Sequence, residues 1–135
     1  MRRISSGSSF EAEIGYCRVV DDGAYLHVSG CTGFDYASMT LADGVVAQAE
    51  QALRNIESAL ASTGASFADI VRVHYILPDR TDFPACFAKL RAWFGANPPA
   101  ATMIVAGLMD PAMKIEIEVT ARRPRVGHSG GRGGR

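Results

Sequence analysis

The sequence predicts an α+β domain: a single sheet with two helices packed on one face, in the order strand, strand, helix, strand, helix, strand, strand. Three observations carry this. Apolar residues recur at helical spacing in two stretches, first at Val45, Ala49, Ala52, Leu53, Ile56 and Leu60, then at Phe83, Phe87, Leu90 and Phe94. Alternating runs flank both stretches, and the clearest sets Ile115, Ile117 and Val119 against Glu116 and Glu118. Between the first two of these runs, Asp21-Asp22-Gly23 is a hairpin signal, because Asp-Gly readily supplies the positive φ of a tight turn.

Taken in order, residues 1–12 are rich in serine and glycine and read as a loosely held arm. Strands are expected at 14–20 and 24–29, with Ala24, Leu26 and Val28 on one face and Tyr25, His27 and Ser29 on the other. Residues 30–41 read as an irregular connection. Asp43 offers an N-cap for the first helix, and Gly64 is placed to end it. A third strand is expected at 70–77, closed by Pro78. Thr81 or Asp82 then caps the second helix, which tolerates Pro84 in its first turn and ends at Gly95. Asn97-Pro98-Pro99 is a stiff entry to a strand at 102–106, and the last strand spans 114–121. Each helix can then be a crossover between parallel neighbours. The sheet's second face mixes Tyr25, His27, Ile76, Met103 and Val105 with charge, which suits a subunit interface better than plain solvent exposure.

The 135 residues fit one domain, 1–123, followed by a glycine- and arginine-rich tail at 124–135 that reads as disordered. Lysine plus arginine equals aspartate plus glutamate at 14 each, so no global basic field points to nucleic acid. No apolar run approaches the ~20 residues of a membrane span, and no apolar region follows Arg2-Arg3 as in a secretory signal. Three cysteines without CxxC spacing give neither a disulfide framework nor a zinc knuckle. A cytoplasmic protein with free thiols, no metal and no cofactor is expected. P-loop, GxSxG and GxGxxG patterns are all missing.

The local patterns leave several groups that could carry chemistry. Glu116 and Glu118 share one strand face, ~6.5–7 Å apart, and read either as acid–base groups or as a solvated pair. His74 and His27 lie on polar strand faces, where a general base and a hydrogen-bonded surface histidine are both readings. Cys31 follows Ser29-Gly30 at a strand end and is a reactive group or a small buried thiol.

Further stretches, in one register from about residue 12 to 123, carry a family likeness. They are Ile14-Gly15-Tyr16, Val28-Ser29-Gly30, Gln48-Ala49 through Leu60, Ala65-Ser66-Phe67-Ala68-Asp69-Ile70-Val71-Arg72-Val73, Pro99-Ala100-Ala101-Thr102 and Lys114-Ile115-Glu116-Ile117-Glu118. Together they resemble the Rid family (YjgF/RidA, L-PSP endoribonuclease-like). The resemblance implies a chorismate-mutase-like (ferredoxin-like) fold and a homotrimer with ligand clefts between subunits. It implies hydrolysis of a reactive enamine or imine to a keto acid and ammonia. By that likeness Glu116 positions the attacking water, Tyr16 lines the cleft, and Ser29 and Gly30 form one wall. Thr102 and Met103 follow the position where the family carries a carboxylate-clamping arginine. Here that position is Ala101, and alanine neither attracts nor orients a carboxylate. The expectation is a Rid-like enamine/imine deaminase or related small-molecule hydrolase of unknown substrate. Its alternative is a non-catalytic trimer that binds a metabolite or a partner. Nucleic acid and membrane are not expected partners.

Overall fold

The computed structural model describes residues 1–125. It is an α+β fold built on a six-stranded mixed sheet. Strands β1 (Arg2–Ile4), β2 (Val19–Asp21), β3 (Tyr25–Cys31), β8 (Glu116–Arg122), β6 (Ile70–Leu77) and β7 (Ala100–Val105) follow one another across it. A separate two-stranded ribbon, β4 (Phe34–Asp35) with β5 (Thr40–Leu41), leads into helix α2 (Val45–Ala61). A short helix α1 (Ser9–Ile14) precedes β2, and α3 (Phe87–Phe94) links β6 to β7.

The helices cover one face, as the apolar spacing predicts. Ala52, Leu53, Ile56 and Leu60 of α2, with Leu90 and Phe94 of α3, pack against Leu26, Val28, Val73, Tyr75, Ile117 and Val119 of the sheet. These sheet positions alternate with Tyr25, His27, Arg72, His74, Glu118 and Thr120 on the open face. Burying this stripe follows from the hydrophobic effect, at roughly 25 cal/mol per Å² of apolar surface removed from water.

Several expectations are corrected. Residues 1–12 are not a loose arm: Arg2 pairs with Asp21 and Ile4 with Val19, which makes β1 an edge strand. Residues 14–20 are not one strand either. Ser8 accepts a hydrogen bond from Phe10 N and starts α1, and Gly15, at φ 96, stops it. Only Val19–Asp21 remains extended. Part of the irregular stretch is ordered as the end of β3 and the β4–β5 ribbon, so the sheet is not the single one expected. Gly44, not Asp43, occupies the N-cap of α2. The second helix begins with a 3₁₀ segment at Arg80–Cys86 whose cap is Asp79, not Thr81 or Asp82. Pro84 lies inside this segment and, lacking an N–H, leaves one backbone bond of the ladder unmade.

Parallel pairing holds for β6 and β7, the neighbours that α3 joins. It does not hold as expected for α2, because β8 inserts antiparallel between β3 and β6. The register also moves Met103 and Val105 to the helix-covered side, where they pair with Tyr75 and Leu77; Thr102 and Ile104 take the open face. Most of the predicted tail, residues 126–135, lies outside the described residues. No helix among the described residues is long and apolar enough to cross a membrane.

Candidate functional site

A cleft of about 500 Å³ opens at the end of β3 and β8. Tyr16, Ser29, Gly30 and Glu116 line it together, with Glu118 beside them. Four of the residues singled out from sequence therefore converge on one space. The local fold explains how. The pairing of β3 with β8 slips between Val28 and Cys31, so Ser29 and Gly30 leave the regular ladder at the cleft wall. The Ser29 hydroxyl donates to Cys17 O at 2.7 Å, which ties that wall to the segment bearing Tyr16.

Glu116 rests on Gly30. A Cβ built there would collide with Glu116 Oε2, so only glycine admits the carboxylate at this depth. Partial burial, aided by the negative charge of Glu118, pushes the Glu116 carboxyl above its ordinary range, against a smaller opposing pull from Arg18. A carboxylate raised in this way is a better proton acceptor near neutrality than a solvated one.

Arg18, a charge the sequence also offers near this site, lies behind the wall, and its pairing with Glu11 was not foreseen. Arg18 is buried and donates from Nη1 to Gly30 O at 2.9 Å and Ser29 O at 3.3 Å. Its guanidinium lies 5.7 Å from the Tyr16 ring centroid and 5.1 Å from that of Tyr36. Glu11, also buried, approaches its Nε at 3.6 Å and holds Ser6 through the backbone N–H and the hydroxyl. The Arg18–Glu11 pair thus anchors α1, whose Phe10 and Ile14 form another part of the cleft. The signal in the sequence was a charged residue inside the run Cys17-Arg18-Val19-Val20, where an apolar neighbour is the rule.

Met109 and Met113 complete the lining from the connection before β8. Gln48 fixes that connection: its side chain donates to Ala112 O at 3.0 Å and accepts from Lys114 N at 2.8 Å.

The remaining candidates fall elsewhere. Ala101 and Met103 line a different groove, of about 270 Å³, between α3 and the edge strand β7. Thr102 is on the opposite side of that strand and accepts a hydrogen bond from Arg72 Nη1 at 3.1 Å. Within one chain, the Glu116 cleft and the Ala101 groove are separate. Cys31 is fully buried and its thiol is pushed up to about 11, mainly by burial, so the buried-thiol reading holds. His74 Nδ1 stands 3.9 Å from Glu118 Oε1, and His27 Nε2 lies 2.8 Å from Asp22 Oδ2. Both histidines are on the open face, outside the cleft lining.

A mixed-sheet α+β domain with a carboxylate seated on a glycine in a strand-end cleft is the class that fold and site define. The comparisons with known proteins place it further. The family model described as Endoribonuclease L-PSP matches residues 6–123, and the chain belongs to this family, the YjgF/Rid group. It is 32% identical over 123 residues to the rat 2-iminobutanoate/2-iminopropanoate deaminase, covering 90% of each chain. It is 33% identical over 103 residues to Protein DfrA of Myxococcus xanthus, covering 76% of this chain and 79% of that one. Among solved structures, a Mycobacterium tuberculosis member of the YjgF/YER057c/UK114 family superposes with a TM-score of 0.81 at 34% identity, covering 90% of this chain and 98% of that one. The Escherichia coli YjgF gene product gives a TM-score of 0.81 at 27% identity, covering 92% and 100%.

Proposed function

We propose that this protein hydrolyses a C=N bond of a small imine or enamine, with Glu116 as the acid–base group. The observation that carries the reading is the seat of Glu116: a partly desolvated carboxylate with a raised pKa, placed by Gly30 at the wall of an otherwise largely apolar cleft. The relatives named 2-iminobutanoate/2-iminopropanoate deaminase support the same reaction class.

In this reading water attacks the imine carbon while Glu116 accepts one of its protons and passes it to nitrogen. The carbinolamine then collapses. Its hydroxyl proton passes to the departing nitrogen, the C–N bond breaks, the carbonyl forms and ammonia leaves. Ser29 and Gly30 shape one wall, and the Tyr16 ring lies over the substrate.

The working form in this proposal is a cytoplasmic homotrimer, with each cleft completed by a neighbouring copy. Strand β7 supports this. It is an edge with all six residues exposed, including Met103 at 57%, Ile104 at 41% and Val105 at 52%. An apolar edge of this kind needs a cover. A neighbouring copy would bring Ala101, Thr102 and Met103 toward Tyr16 and Glu116.

The test is ammonia release from a panel of enzymatically generated imines, with wild type beside Glu116→Gln. Release by wild type, reduced at least ~100-fold in the variant, is the expected outcome for loss of a general base. Equal release by both proteins defeats the proposal.

A further inference from the structure

The groove that holds Ala101 has a composition of its own. Its walls are aromatic and proline-rich, with Tyr75, Phe83, Phe87 and Pro98 among them. Among the described residues Arg91 is the one charged side chain that lines it. Arg91 sits in the last turn of α3 and is exposed. Among the described residues its side chain has neither an ion pair nor a hydrogen bond, which leaves its N–H donors available at the groove.

We infer that Arg91 is the carboxylate anchor of this site, entering from α3 where Ala101 leaves room on β7, and that the ligand is a monocarboxylate with a sizeable apolar body. The inference rests on the hydrolase reading only for joining this groove to Glu116; the groove and its arginine belong to a single chain. The chemistry follows from the lining. A guanidinium offers paired N–H donors that match a carboxylate, and the aromatic and proline walls bury an apolar substituent. Ala101 and Arg91 line one groove, so a small residue on the strand and a cation on the helix are complementary: a large side chain at position 101 would take up groove volume. The substrate class is then the imine of an amino acid with a large apolar side chain, in preference to the smallest ones.

Arg91 also has an ordinary role available to it, since a cation in the last turn of a helix favours the carbonyl end of the dipole. The experiment separates the two. Binding of 3-phenylpropionate and of its neutral twin 3-phenylpropionamide is measured by calorimetry for wild type, Arg91→Gln and Arg91→Ala. Arg91 is exposed and, among the described residues, makes no side-chain hydrogen bond or ion pair, so neither substitution threatens the fold. The expected result is at least a tenfold preference of wild type for the acid, falling to near parity in both variants with amide affinity unchanged. Equal binding of acid and amide by wild type, binding of neither, or a preference that survives both substitutions overturns the inference. A dipole role alone would lower the melting temperature of the variants and leave the ratio untouched. Glu116→Gln run in parallel keeps the two proposals apart. If it abolishes hydrolysis while Arg91 proves irrelevant, only the anchor fails. If the anchor holds while Glu116→Gln hydrolyses normally, only the hydrolase reading fails.

Discussion

Glu116 occupies the space that a side chain on Gly30 would need. A Cβ at Gly30 would overlap Oε2 and stand 2.8 Å from Cδ. The site therefore depends on a missing methyl group in β3 as much as on a carboxylate in β8.

The Gly30→Ala variant tests this dependence. The added methyl has to displace the carboxylate, the far end of a flexible side chain, so the loss falls on the site more than on the fold. The expected outcome is a folded protein of near wild-type melting temperature whose ammonia release falls at least ~100-fold, because a displacement of ~1 Å at a reacting group has effects of that order. Wild-type turnover in a folded Gly30→Ala protein would show that the seat of Glu116 is immaterial.

The raised pKa of Glu116 has a consequence for stability. The folded state holds this proton more tightly than the unfolded chain, whose value is near 4.5. Ionised Glu116 therefore opposes folding above its folded pKa, and the opposition fades as the pH falls through that value towards 4.5. Glu116→Gln should melt above wild type at pH 7.5, and the gap should shrink as the buffer is taken down to pH 4.5. Thermal melts across that range check it; a gap that is constant with pH, or reversed at pH 7.5, contradicts the assignment. The acid limb of the activity profile should likewise fall above the ordinary carboxylate range.

Behind the cleft, Arg18 and Glu11 are both almost fully buried and face each other at 3.6 Å. Removing one partner strands the other charge, which typically costs ~3–5 kcal/mol, whereas replacing both with apolar residues of similar size is often close to neutral. Urea denaturation of Arg18→Met, Glu11→Leu and the double variant should show two large losses and a clearly smaller one for the pair. Additive losses would mean that the two charges are not coupled.

These residues also show what a sequence can and cannot disclose. The two helices and the central strands were legible because burial on one face imposes a periodicity that Leu53, Ile56, Leu90, Ile117 and Val119 obey. Tyr16, Ser29, Gly30 and Glu116 were legible through a family likeness, and the chain folds them into one cleft. The N-terminal strand and α1 were not, because their order comes from distant contacts. Arg2 pairs with Asp21 across a strand, and Glu11 reaches Arg18. Three-residue strands and a six-residue helix carry too little period to be read locally. Arg91 gave no local sign either: it is polar in an amphipathic helix, and its place on the groove that Ala101 also lines comes from the pairing of β7 with β6.

The edge strand gives the final prediction. Ile104 lies on the open face of β7, in register with Ile76, and is 41% exposed. If this strand seats against a neighbouring copy, an inserted charge loses its hydration there and disfavours assembly. Ile104→Glu should convert the trimer to a monomer in light scattering coupled to gel filtration, while the far-ultraviolet circular dichroism stays native because no core contact is lost. Ammonia release should fall with the trimer fraction, since Ala101 and Arg91 of one copy would no longer meet Glu116 of the next. A monomeric wild type, or a monomeric Ile104→Glu protein with full turnover, would show that each chain works alone and that the Glu116 cleft needs no neighbour.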